Sequence, residues 1–238
     1  CHCASVITTN TVQDSSRLYQ SNPVASDILE QQLRRLESDF HFSAIKIGAL
    51  GSISNARVVA QYIQQITTQN PSTAVILDPV LKATDGNRLS HESLIQTLLD
   101  EVLPYCTLIT PNEPEILALT GHSSSQQAVN QLASLGASVL VTGGHNRDSN
   151  NHRLENTLVI GRHQQGQSQQ WSIPLIDGEC RGTGCTLSSA IAGYMAHGHP
   201  LTEAIIHAQS FVSHTLENAY TLPSGQRVPL RSATIPTT

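Results

Sequence analysis

Ala74-Val75-Ile76-Leu77-Asp78-Pro79 is a run of four aliphatic residues closed by a carboxylate and a proline. So short a run, with no polar alternation, predicts a strand covered on both faces. Proline ends it because it brings no backbone N–H to the ladder. Similar runs lie on either side: Ala44-Ile45-Lys46-Ile47-Gly48-Ala49-Leu50-Gly51 upstream, then Thr107-Leu108-Ile109-Thr110 and Ser138-Val139-Leu140-Val141-Thr142 downstream. Segments with helical periodicity separate them. Ile28, Leu29, Leu33 and Leu36 mark a helix over 24–39, and Val58, Val59, Tyr62, Ile63 and Ile66 mark one that starts at Ser52. Further helices are expected over 90–99, 116–119 and 124–135. Apolar strands alternating with amphipathic helices predict an α/β fold: a mostly parallel, doubly wound sheet with helices on both faces. Ligands of such sheets bind beyond the carboxyl ends of the strands. Gly48, Asp78, the turn 112–115 and Gly143-Gly144 all fall there.

The ends of the chain depart from that rhythm. Residues 4–13 are rich in β-branched side chains and read as a strand running into a polar loop, after which Asn22-Pro23 opens the first helix. After Gly144, residues 146–156 read as a polar loop. Residues 157–160 and 171–174 read as a short antiparallel pair, 201–220 as a last amphipathic helix, and the tail from Leu222 as extended over the surface.

At 238 residues the chain suits one substantial domain. Its composition, 39% hydrophobic but only 4% aromatic, requires an aliphatic core. A net charge of −5 without a basic run argues against nucleic acid or an anionic membrane as partner. No apolar run approaches the roughly 20 residues of a membrane span, and no signal peptide is visible. Five scattered cysteines do not suggest a disulfide framework, so a reducing cytoplasm is expected. Cys1-His2-Cys3 has no partner pair at metal-ligand spacing and reads as a plain chain end.

The chemistry concentrates in Arg181-Gly182-Thr183-Gly184-Cys185-Thr186-Leu187-Ser188-Ser189-Ala190. Alternating glycines allow backbone amides to converge on one concavity, and a helix beginning there is an anion site. A cysteine on the first turn is expected to have a lowered pKa, although free cysteine is also commonly a small buried hydrophobe. Thr183 reads equally as an ordinary N-cap. Asp78 suits either a water-mediated Mg²⁺ anchor or a loop cap. Asn112 and Glu115 suit either a capping box or a pair turned towards phosphates and metal. His145 is a loop histidine with no evident partner. Walker A, protein-kinase and dinucleotide signatures are all absent.

In order and spacing, these segments resemble the hydroxymethylpyrimidine/phosphomethylpyrimidine kinases of thiamine biosynthesis, in the ribokinase-like superfamily. The matching pieces are Ser5-Val6-Ile7-Thr8, Lys46-Ile47-Gly48, Asp78-Pro79-Val80-Leu81 with 85–89, Thr110-Pro111-Asn112-Glu113-Pro114-Glu115, Gly143-Gly144-His145 and residues 182–188. Sugar kinases of the superfamily typically have aspartate where this chain has Cys185. The resemblance implies a three-layer α/β/α fold, ATP and Mg²⁺ as cofactors, a pyrimidine acceptor and a homodimer. It implies Cys185 as the base, with the amides of Gly182, Thr183 and Gly184 holding the transferring phosphoryl. Asp78 and Glu115 become the Mg²⁺ anchors, Asn112 and Gly144 face the nucleotide, and Gln13 and Val80 line the pyrimidine.

The sequence also departs from that family. Its opening strand and Gly-rich segment are missing, so one ribokinase-like domain over 1–238, truncated at its N-terminus, is expected, with a sheet edge left exposed. Ala49 replaces a substrate-lining methionine, and Thr142 replaces a lysine near the ATP phosphates. A pyridoxal kinase and a non-catalytic binding relative are the competing readings.

Overall fold

The computed structural model describes residues 1–14, 18–81, 88–122, 126–142, 153–161, 167–176, 180–223 and 227–232. Its centre is a six-stranded sheet in the order β3-β4-β5-β6-β7-β8. The strands are β3 (Ala44–Ile47), β4 (Ala74–Leu77), β5 (Leu108–Ile109), β6 (Ser138–Val141), β7 (Arg153–Val159) and β8 (Ser168–Pro174). The first four run parallel, and β7 and β8 are added antiparallel.

Alternate residues of each strand feed two separate cores. Ile45, Ile47, Val75, Leu77, Ile109 and Val139 pack with α1 (Ser26–Asp39), α2 (Ile53–Gln69) and α5 (Gln126–Ser134). Ala74, Ile76, Leu108, Leu140 and Leu158 pack with α6 (Thr183–Ala196) and α7 (Leu201–Glu217). The apolar runs are continuous because both faces are covered. A fully buried side chain such as Ile76 or Leu108 contributes roughly 1.5–3 kcal/mol. The expected three layers are present.

Four local expectations change. Residues 4–8 form no strand; only β1 (Thr9–Gln13) does, and it pairs with β2 (Leu18–Pro23) in a separate two-stranded flap. Thr-Asn-Thr-Val-Gln is too polar to enter the core, and most of the flap is exposed. Asn22-Pro23 therefore ends β2 rather than opening α1. Residues 153–156, expected as loop, begin β7, because Asn156 is buried and its amide donates to Gln209 Oε1 of α7 at 3.0 Å. The tail is not simply extended: β10 (Arg227–Val228) pairs with β9 (Tyr220–Thr221). The remaining helices are α3 (Arg88–Thr97), which continues into a wide turn at Leu98–Val102, and α4 (Glu113–Thr120). β3 forms one edge of the sheet. A cavity of about 690 Å³ lies there, lined among others by Val6, Ile45, Ala49 and Ala192.

Candidate functional site

α6 begins at the stretch singled out in the sequence. Gly182 caps it with φ 81°, a left-handed conformation that favours glycine. The Thr186 amide and hydroxyl both donate to Gly182 O, at 2.9 and 2.8 Å. The first-turn amides have no carbonyl within the helix to bond, which leaves them for an anion. Thr183 is the first helical residue and not the cap; its hydroxyl instead donates to Cys180 O at 3.0 Å. Arg231 reaches this terminus from the C-terminal segment, donating from Nε to Thr186 Oγ1 at 2.8 Å.

Register along the sheet aligns the next groups. Asp78 N donates to Ile47 O and Thr110 N to Leu77 O, so Asp78 and Thr110 stand side by side at the ends of β4 and β5. Asp78 is buried, with Oδ2 lying 3.2 Å from Lys46 Nζ and receiving the Ser188 hydroxyl at 3.2 Å. The Thr110 hydroxyl is buried and has no partner among the described residues. Asn112 and Glu115 form a full capping box at α4: Glu115 N donates to Asn112 Oδ1, and Asn112 N to Glu115 Oε2, each at 3.0 Å. Thr142 bridges to Asn112, its amide donating to Pro111 O at 3.2 Å.

Asp78, Asn112, Glu115, Thr142 and the 182–185 turn thus share the carboxyl end of the sheet. Of the residues expected to line the acceptor, Gln13 belongs to the flap, while Ala49 and Val80 follow β3 and β4. Arg181 donates to Gln13 Oε1 at 2.9 Å and to the Asp14 carbonyl, tying the flap to the turn that opens α6. The Ala49 carbonyl accepts from the Thr8 hydroxyl at the flap's base, and Ala49 lines the cavity beside β3. Val80 is half-buried beside Asp78, its amide donating to Asp78 O at 2.8 Å. Gly144, with Gly143 and His145, lies outside the described residues.

The thiol is a correction. Cys185 keeps an exposed surface, yet its pKa is raised, not lowered. Burial of the side chain acts most strongly, and the Asp78 carboxylate adds to it by its charge and a hydrogen bond; Lys46 and Arg231 oppose them. A helix terminus alone favours thiolate, but burial, reinforced by the neighbouring carboxylate, outweighs it here.

The donors at the strand ends are all oxygens, from Asp78, Glu115 and the orphaned Thr110 hydroxyl. That set fits a hard, largely hydrated cation such as Mg²⁺ rather than a softer metal. Among the described residues no group of three or more His, Cys, Asp or Glu is gathered to hold a metal directly. Sequence reasoning missed the roles of Lys46, Ser188, Arg181 and Arg231. A lysine inside an apolar strand run was the available signal for the first. The other three are ordinary polar residues whose partners lie far along the chain.

A family model for phosphomethylpyrimidine kinase matches residues 1–230. The chain is 31% identical over 229 residues to a hydroxymethylpyrimidine/phosphomethylpyrimidine kinase of Haemophilus influenzae, covering 93% of this chain and 82% of that one. It is 31% identical to the protein of the same name from Aquifex aeolicus, covering 94% and 86%. Among solved structures, an ADP complex of Bacillus subtilis pyridoxal kinase superposes with TM-score 0.80 at 25% identity, covering 95% of this chain and 85% of that one. A phosphomethylpyrimidine kinase from Clostridium difficile shares the fold at TM-score 0.69 and 22% identity, covering 87% and 84%.

Proposed function

The chain belongs to the phosphomethylpyrimidine kinase family, and from that membership we propose that it transfers the γ-phosphoryl of ATP to 4-amino-5-hydroxymethyl-2-methylpyrimidine and then to its monophosphate. The observation that carries this reading is the meeting of Cys185, the first-turn amides of α6 and buried Asp78 at one end of the sheet.

Each group has a task in the transfer. Cys185, once ionised against the raised pKa that burial and Asp78 give it, accepts the proton of the acceptor's hydroxymethyl group as its oxygen bonds to the γ-phosphorus, while the bond to the bridging oxygen of ADP breaks. The amides of Gly182, Thr183 and Gly184 receive the oxygens of the phosphoryl in flight, where preorganised donors contribute most. Asp78 and Glu115 would hold Mg²⁺ through water, and Asn112, Thr142 and Gly144 would face the nucleotide phosphates. Mg²⁺, when bound, neutralises charge developing on the phosphate oxygens. Gln13, Ala49 and Val80 would border the pyrimidine, with Arg181 setting the Gln13 amide. The reading carries with it a homodimer in the cytoplasm.

The test is ADP release measured with hydroxymethylpyrimidine, its monophosphate and pyridoxal. The pyrimidines should be preferred, and Cys185→Ala should lower kcat by about 10²–10⁴-fold. A preference for pyridoxal, or turnover unaffected by Cys185→Ala, would overturn the assignment.

A further inference from the structure

The chain has two lysines, Lys46 and Lys82. Lys46 stands inside β3, where alternation with Ile45 and Ile47 turns it to the α6 face, the same face as Ala44. Its side chain is 21% exposed and its ammonium lies 3.2 Å from Oδ2 of Asp78, whose side chain is 8% exposed. Ser188, from the second turn of α6, places its hydroxyl 3.2 Å from the same oxygen, its one proton shared with the carbonyls of Gly184 and Cys185 at 3.1 and 3.2 Å.

Stability alone does not explain this arrangement. Lysine is rarely buried unless paired, and a buried ion pair is commonly no more stabilising than an apolar pair of similar volume. A Cβ on Gly48 would lie 2.9 Å from Lys46 Nζ, so any larger residue there must move the flexible end of the lysine side chain from its present place. The cation is one of two charges that oppose the Asp78 carboxylate's influence on the Cys185 thiol.

We propose that Lys46 is a positioning residue of the transfer site. With Ser188 it grips one oxygen of Asp78, fixes the plane of the carboxylate, and acts as that carboxylate's resident counter-ion when no divalent cation is bound. Gly48 serves the same device by making room for it. Only the kinetic part of the inference rests on the kinase reading, because the response to a cation can be measured without any substrate.

The experiment compares wild type with Lys46→Met, Lys46→Arg, Gly48→Ala and the Lys46→Met/Gly48→Ala double variant. Lys46→Met should lower kcat at least about tenfold while the KM values move less than about threefold, and Lys46→Arg should recover part of the loss. Gly48→Ala should lower kcat in the same direction by displacing the ammonium. The double variant should be no slower than Lys46→Met, because both changes act through one group. In nucleotide-free protein, about 10 mM MgCl2 should raise the Tm of Lys46→Met about 2 °C more than that of wild type, with NaCl at matched ionic strength as control, since the ammonium no longer competes for Asp78. Equal MgCl2 responses in the two proteins, kcat within about twofold of wild type in Lys46→Met, or losses that multiply in the double variant would each overturn the inference. If wild type phosphorylates neither a pyrimidine nor pyridoxal, the kinase reading fails, and the MgCl2 comparison still decides the role of Lys46. Should Lys46→Met not fold, Gly48→Ala and Lys46→Arg carry the same comparisons.

Discussion

Asn55 holds the flap to the body of the protein, and its replacement by alanine should loosen both. It is fully buried in the first turn of α2. Its side-chain amide donates to Thr8 O at 2.9 Å, Val24 O at 3.1 Å and Leu50 O at 3.2 Å. Thr8 precedes β1 and Val24 follows β2, so one amide ties both stems of the flap to the start of a core helix. Two protons serve these three contacts. Each bond is worth about 1 kcal/mol net, and a buried carbonyl left without a donor costs about 1–3 kcal/mol. Thr8 O keeps its bond from the Val24 amide, so the penalty falls mainly on the carbonyls of Val24 and Leu50. Relief of Asn55 Oδ1, which has no partner among the described residues, returns a small part. The expected loss for Asn55→Ala is about 3 kcal/mol, or roughly 6–12 °C in Tm for a chain of this size. Urea unfolding followed by fluorescence of the single tryptophan, Trp171, measures the global term. Chymotryptic cleavage at Tyr19, half exposed in β2, reports release of the flap well below the melting temperature. A loss under about 1 kcal/mol together with an unchanged cleavage rate at Tyr19 would refute the tie.

Two further changes probe the core and the pH response. A Cβ on Gly161 would lie 2.5 Å from Ala137 O and 2.6 Å from its carbonyl carbon. Backbone cannot yield as a flexible side chain can, so Gly161→Ala should cost about 2–3 kcal/mol, seen as a lower urea midpoint at unchanged slope. Burial, with a smaller contribution from Glu37, pushes the Tyr62 phenol from 10.0 up to about 12. The folded state therefore favours the neutral phenol, and this contribution is complete below the unfolded pKa. It is lost as pH rises from about 10 through about 12. Tyr62→Phe should flatten the fall in stability over that window in urea titrations at successive pH values; an identical fall in both proteins would show that another group is responsible.

Much of the site was legible as local pattern. Asp78 ends a four-residue apolar run, Asn112 and Glu115 carry capping spacing, and Gly182-Thr183-Gly184-Cys185 precedes a helix; all three sit where the sheet places its ligands. The flap was misread because Thr9–Gln13 and Leu18–Pro23 are β-prone but polar, and such segments do not declare whether they join a sheet or pair only with each other. Residues 153–156 were misread as loop because the partner of Asn156 lies on α7, 53 positions away.

The order of apolar strands and helices by itself determined a parallel sheet covered on both faces, since period and hydrophobicity are short-range properties that the chain carries wherever it goes. The reactive groups were likewise readable by kind and position. Their chemical state was not. The pKa direction at Cys185 reversed because the helix terminus is local to the motif, whereas the burial that raises it comes from packing, and the carboxylate that adds to it follows β4, more than a hundred residues earlier. Lys46 and Ser188 meet on one oxygen of that carboxylate only after β3, β4 and α6 have packed. Charge and burial depend on distance in space, and only the tertiary structure decides which distances are short.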